Sequence, residues 1–407
     1  MLKSISPGGY NITSGTFSPP VFVEEKVREI REFVGSSKAA IATSGGVDST
    51  TCAVLAHRAL GGRLICFFMD TGFMREGEVQ EVSEMLRSLG LPLRVLSVKD
   101  RFMEALKGKK DAEEKRIAFR ETFYKVLSKE ARKEGCEVLI QGTIAPDWIE
   151  TSGGIKTQHN VLEQLGFDTV KRYGFRLLEP LLELYKDQVR EVARYLGVRF
   201  EASERQPFPG PGLLVRCIGE VREDKLKVLR GATLAVERAL GSLKPTPNQY
   251  FAAVVEDERV VASPAVERAV QEILPGGKVE YFKCRATGVK GDNRAYGKIA
   301  VVSGGEVETE RLFTLPERII HEDGEVVRAV YKLGESTVGV IGSGGVRRER
   351  YAVLVRAVET RDFMTAKPYR VPMEVLKRLC QELLKICGVS SVFYDITSKP
   401  PATVEYE

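Results

Sequence analysis

The chain is poor in the residues that carry metal and redox chemistry. Only three histidines occur in 407 residues, so a metal site built from imidazoles has almost nothing to draw on. The seven cysteines (52, 66, 136, 217, 284, 380 and 387) are odd in number and scattered, with no CxxC pair. That excludes a disulfide framework and fits reduced thiols in a cytoplasmic protein. Cys380 and Cys387, seven apart in a helical pattern, are expected in the core. No apolar run approaches the roughly twenty residues that span a bilayer. The opening "MLKSISPGGYNITSGTFSPP" also lacks the apolar centre of a signal peptide, so neither export nor a membrane partner is expected. Charge of one sign is scarce too. The net charge is +5, too small over this length to argue for nucleic acid, though a local patch could hold an anionic small molecule.

What is present is an ordinary globular composition, 43% hydrophobic and 29% charged, in a chain long enough for two or three domains. A helix is predicted over 21–34, then a buried strand at 38–43 and a helix at 48–60. The theme recurs with strands at 63–69, 93–98 and 137–142 and helices at 77–90, 111–135 and 185–197. Strands alternating with helices imply right-handed βαβ units, a mostly parallel doubly wound sheet and a ligand at the strands' carboxyl ends. The stretch "RQPFPGPGLLVR" (205–216) cannot be helix interior, and the domain boundary is placed just beyond it. We therefore expect an N-terminal arm (1–20), an α/β domain (21–218) and a smaller α+β domain (219–407). In the last, "ATGVKGDNRAYGKIAVV" (286–302) is echoed by "STVGVIGSGGVRRERYAVLV" (336–355), which is either a tandem half-repeat or two hairpins alike by chance.

The stretch with most chemistry in it is "SGGVDST" (44–50), between the first strand and its helix. Gly45 and Gly46 can turn successive N–H groups inward as an anion nest, with Ser44, Ser49 and Thr50 adding hydroxyl donors. It is not a Walker A loop, since no Gly-Lys-Ser/Thr follows. Asp48 would repel phosphate unless it caps the helix or holds Mg²⁺. A plain capped helix after a tight turn remains the competing reading.

This loop resembles the pyrophosphate-binding loop of the N-type ATP pyrophosphatases, which adenylate a substrate and release pyrophosphate. Within that family "FMDTGFMREGE", "QGTIAPDWIE", "IKTQHNV", "EPLLELYKDQVR", "RQPFPGPGLLVR", "RAVETRDFMTA" and the terminal "YDITSKPPATVEYE" are similar to GMP synthetase signatures, from about residue 20 to the end. The resemblance implies an adenine nucleotide alpha-hydrolase-like fold followed by a dimerisation domain. It implies that ATP and XMP form an adenylated intermediate and that ammonia then displaces AMP. By matched position, Ser44, Gly45, Gly46, Val47, Asp48, Ser49, Thr50, Asp70, Thr71, Gly72, Gln141, Gly142 and Thr143 would bind ATP. Arg75, Arg205, Pro209, Gly210, Pro211, Gly212, Lys399 and Glu405 would bind XMP. Asp48, Asp147, Lys156, His159 and Lys186 would be catalytic, Asp48 also holding Mg²⁺.

Two departures stand out. Gln158 occupies a position where the family carries a histidine, and extra residues, roughly 303–350, intervene where the family passes directly from the "TGVKGD" turn into the "RAVE" strand, which the second copy of the echo supplies here. The glutaminase that supplies ammonia needs its own α/β domain, and none fits here, so a separate glutaminase subunit is expected, along with a homodimer. Two other readings stay open: an ATP pyrophosphatase with a different carbonyl acceptor, and a nucleotide-binding regulatory homologue without turnover.

Overall fold

The computed structural model describes residues 17–145, 173–198, 208–291, 293–304, 309–336, 351–360 and 364–407. In the first half, α1 (Pro19–Val34) leads into β1 (Lys38–Ala42), α2 (Val47–Leu60), β2 (Leu64–Asp70), α3 (Glu78–Ser88) and β3 (Leu93–Ser97). Then come α4 (Lys99–Leu106), α5 (Ala112–Lys133), β4 (Cys136–Ile140), β5 (Arg176–Leu178) and α6 (Lys186–Tyr195). All ladders are parallel and the order is β3-β2-β1-β4-β5. The strands are apolar on both faces because both are covered. Ala39, Ile41, Cys66 and Phe68 pack with α1, α2, α3 and α6, while Ala40, Ile65, Phe67 and Met69 pack with α5. This is the doubly wound sheet expected from the alternation. Its strand order reverses between β1 and β4, which opens a crevice at their carboxyl ends. Of the helices here only α4 was not anticipated; its eight residues are too few to give a clear period.

The second half carries α7 (Glu223–Gly241), β6 (Gln249–Glu256), β7 (Arg259–Val261), α8 (Pro264–Gln271), β8 (Lys278–Lys290), β9 (Asn293–Ser303) and α9 (Leu315–Glu322). It ends with β10 (Val326–Glu335), β11 (Tyr351–Glu359), β12 (Lys367–Pro368), α10 (Met373–Leu383) and β13 (Val389–Asp395). These strands form one mixed sheet in the order β12-β11-β13-β10-β9-β8-β7, with β6 also on β11. Alternation sorts each strand. Tyr250, Ala252 and Val254 face the four helices, and Phe251, Ala253 and Val255 face the C-terminal segment with Val404 and Tyr406. Phe73, Phe102 and Phe119 of the first half share the helical-face core, so the halves are joined by packing.

The echoed sequences meet different fates. The first copy is the antiparallel β8–β9 hairpin. Residues 337–350 of the second copy lie outside the described residues; its last five begin β11, which is separated from β10 by β13. What does recur is strand–helix–parallel strand: β9–α9–β10 and β11–α10–β13, with β10 and β13 antiparallel at the centre. One expectation fails. Cys380 is buried but Cys387 is exposed, since α10 ends at Leu383 and the chain turns away at Gly388 with φ 100°.

Candidate active site

The loop between β1 and α2 is shaped by Gly45, whose φ is +78° and whose missing Cβ would lie 2.6 Å from a Val82 methyl on α3. Only glycine fits there. The hydroxyls then knit the bend. The Ser44 N–H donates to Ser49 Oγ (3.2 Å), the Gly46 N–H donates to Ser44 Oγ (3.3 Å), and Ser49 Oγ donates to the Gly46 carbonyl (3.2 Å). First-turn N–H groups of a helix have no intrahelical partners, so α2 presents donors and positive dipole to the crevice.

Across the crevice stands Lys186, the first residue of α6, with Nζ 2.6 Å from Asp48 Oδ2. A cation is disfavoured at a helix N-terminus, and Asp48 offsets that cost here. In the first turn of α2, Asp48 Oδ1 and Thr50 Oγ1 are buried with no hydrogen-bond partner among the described residues; so is Gln141 Nε2, on a side chain whose Oε1 accepts from the Tyr124 hydroxyl of α5 (3.4 Å). Gln141 follows β4, and its carbonyl accepts from Cys52 Sγ at 3.4 Å. Burial pushes the Cys52 thiol far above its usual range, making it a packing group rather than a nucleophile. Thr143 donates to Glu179, a residue that motif matching did not single out. At the end of β2, Asp70 accepts from the Gly72 N–H (3.0 Å), and the Thr71 hydroxyl accepts from the Phe73 N–H (3.4 Å).

The same loop runs on to Arg75 and a second polar cluster. The Leu213 N–H donates to the Phe73 carbonyl (2.8 Å), and Gly212, with φ +63°, lies so close that a Cβ would fall 2.3 Å from that oxygen. Thus the Pro209–Gly212 turn rests directly on the β2 loop. Arg75 Nε is 2.9 Å from Glu237 Oε1, but off the N–H line, so this is a charge contact rather than a hydrogen bond. Burial raises the Glu237 carboxyl although Arg75 and Arg216 pull it down. Glu405 accepts two hydrogen bonds from the buried Arg216 (2.9 and 3.0 Å) and one from Gln249 (2.9 Å). Lys399 exchanges main-chain hydrogen bonds with Ala366. Asp147, Lys156, Gln158, His159 and Arg205 lie outside the described residues.

Among the described residues the predicted ones stand mainly in two places, Asp48 and Lys186 with Gln141 at the end of β4, and Arg75, Gly212 and Glu405 where the halves meet, joined by the 70–75 loop, while Lys399 is held apart by its main-chain bonds to Ala366. Arg216, Glu237 and Arg230, which reaches the Gly72 carbonyl, were not anticipated. For Arg216 a signal existed: one charge inside the apolar run "GLLVRCI".

Comparison with known proteins adds the following. The PP-loop domain family matches residues 21–205, and the GMP synthase C terminal domain family matches residues 329–406. A protein of Saccharolobus islandicus, named as one of the subunits of glutamine-hydrolyzing GMP synthase, is 44% identical over 392 residues, covering 96% of this chain and 100% of its own length. Proteins of the same name from Methanopyrus kandleri and Archaeoglobus fulgidus are 40% and 42% identical; they cover 96% and 95% of this chain and 100% and 98% of their own lengths. Among solved structures, an NMN synthetase from Francisella tularensis is 20% identical over 48% of this chain and 78% of its own, with a TM-score of 0.38, too low to carry an argument.

Proposed function

The chain belongs to the family of these glutamine-hydrolyzing GMP synthase subunits, and from that premise we propose that it adenylates XMP with ATP, releasing pyrophosphate, and then aminates the intermediate with ammonia to give GMP and AMP. The observation that carries this reading is the first turn of α2 after the glycine bend, where Asp48 meets Lys186 and keeps Oδ1 unpartnered, as is the buried Thr50 Oγ1. Such atoms are costly unless something completes them. A nucleotide triphosphate arriving with its cation does so. Residues Ser44 to Thr50 would hold the β- and γ-phosphates on loop N–H groups and hydroxyls, stabilising the pyrophosphate as it accumulates charge. Lys186 would turn from Asp48 to the α-phosphate, with Lys156, His159 and Asp147 completing the catalytic set. Asp70, Thr71, Gly72 and Gln141 to Thr143 would take the adenosine. Arg75, Arg205, Pro209 to Gly212, Lys399 and Glu405 would take XMP.

Asp48 is the carboxylate that would hold Mg²⁺ entering with ATP. Its unpartnered Oδ1 fits an ion that needs one or two carboxylates plus substrate phosphates, and among the described residues no group of three His, Cys, Asp or Glu gathers to make a protein-only site. The ion would offset phosphate charge. We further propose that a separate glutaminase subunit delivers the ammonia, that the chain forms a homodimer, and that it works in the cytoplasm. Among the described residues no helix is long and apolar enough to cross a membrane. We also propose a division into 1–20, 21–218 and 219–407, with an insertion or half-repeat near 303–350.

Incubating the chain with ATP, Mg²⁺, XMP and an ammonium salt is expected to give GMP, AMP and pyrophosphate in equal amounts. Pyrophosphate release that ignores XMP, or no GMP at any ammonium concentration, would refute the reading.

A further inference from the structure

Through the second cluster and on beneath the C-terminal segment runs a series of guanidinium and aromatic groups in contact. The Arg75 guanidinium lies 4.2 Å from the Phe208 ring centroid, and the Arg216 guanidinium lies 5.2 Å from that ring and 4.2 Å from the Phe251 ring. Phe251 meets Tyr406 edge to face at 6.4 Å, and Arg328 lies 4.0 Å from the Tyr406 ring. Arg75 belongs to the loop after β2, Phe208 to the segment between the halves, Phe251 to β6 and Tyr406 to the C-terminal segment. Arg216 is 1% exposed and also grips Glu405 by two hydrogen bonds.

We propose that Phe208 and Arg216 are positioning residues for the acceptor: together they fix Arg75 and Glu405, the acceptor-binding side chains from opposite halves, at one separation. This rests on the reading of Arg75 and Glu405 given above. Each long side chain alone has many rotamers, and a site held within about half an ångström needs its supporting groups locked by packing. Phe208 supplies that lock to Arg75, since a ring face attracts a cation on its normal. Arg216 locks Glu405, because a bidentate guanidinium–carboxylate pair fixes both distance and plane. Arg216 Nη1 is buried with no partner among the described residues, so this guanidinium is not there to satisfy a complete hydrogen-bond set. Two guanidinium groups lie over this one ring, so bulk alone would not replace it.

The test uses the full chain with ATP, Mg²⁺, XMP and ammonium, and compares Phe208→Leu, Phe208→Tyr and Arg216→Lys with wild type. Phe208→Leu keeps apolar volume but loses the ring, and is expected to raise KM for XMP about tenfold with KM for ATP within about twofold of wild type. Phe208→Tyr should restore it. Arg216→Lys keeps the charge but loses the fork, and should raise KM for XMP alone in the same way. KM for XMP within about twofold of wild type in both Phe208→Leu and Arg216→Lys overturns the proposal. So does a joint rise of both KM values with an earlier thermal melt, which would mark merely structural residues. A wild type that forms no GMP refutes the functional reading itself, and this inference falls with it.

Discussion

The two halves hold similar ionic groups in opposite states. At the crevice of the parallel sheet, Lys186 and Asp48 meet with 44% and 25% of their side chains exposed, and one carboxylate oxygen is left over. Under the C-terminal segment, Arg328 and Arg356 meet Asp395 at 2.9 and 2.8 Å with all three fully buried. That carboxylate also accepts from the Tyr406 hydroxyl (2.8 Å) and the Thr397 N–H (3.0 Å), and the guanidiniums reach the Thr403 and Glu405 carbonyls. A pair with a spare oxygen and a wet flank can exchange its partner for a ligand. One whose carboxylate is filled on both oxygens and sealed from solvent cannot, even though Arg328 Nε and Arg356 Nε have no partner among the described residues. The first is therefore read as machinery and the second as the fastening of the segment that carries Lys399 and Glu405.

The largest effect should come from undoing the fastening. Asp395→Ala would leave two buried guanidiniums facing each other, a change that costs about 3–5 kcal/mol. Against the 5–15 kcal/mol that holds a typical domain, this should lower the melting midpoint sharply. A variant that melts with wild type would show the cluster to be dispensable and erase the contrast. Asp48→Ala tests the other side. GMP formation should fall about a hundred- to a thousandfold, as when one charge-stabilising group is removed from an active site, while the melt stays close to wild type. Loss of fold together with activity would mean that Asp48–Lys186 is a fastening too.

The contrast also separates what the amino-acid order discloses. The nucleotide loop is legible because strand, glycine bend and helix are consecutive, and the glycine requirement at position 45 is local. The Asp48–Lys186 contact joins positions 138 apart, and only the likeness of the "EPLLELYKD" segment to a family pointed to Lys186. Arg216 and Glu405 are 189 apart and were paired by topology alone. The buried cluster left one trace, a single charge in each of the apolar stretches "VVRAVY", "VLVRAV" and "VFYD". Period-2 reading turns these charges toward the buried face without saying which would meet, because that depends on β13 inserting between β10 and β11.

A smaller effect sharpens the comparison at the edge of the mixed sheet. Asp257, between β6 and β7, accepts from Ser390 (2.6 Å), Ser391 (2.6 Å) and Arg259 (2.7 and 3.3 Å), tying that turn to the start of β13. Burial works to raise its carboxyl, but the Arg259, Ser390 and Ser391 hydrogen bonds outweigh it and hold the group below the usual carboxylate range. A carboxyl depressed in the folded state binds its proton more readily when unfolded, so its contribution is complete above the unfolded value near 3.9 and fades as pH falls below it. Asp257→Asn should therefore cost about 1–3 kcal/mol at pH 7, the scale of a hydrogen bond to a charged group. The difference from wild type should narrow as pH drops through 4 toward 3. Paired thermal melts across that range read it directly. A gap that stays constant into acid would mean the bonds are held without the charge, leaving acid sensitivity of this half to its other depressed carboxyls, among them Asp395, held down against burial by Arg356 and Arg328, and Asp323, held down by Lys298.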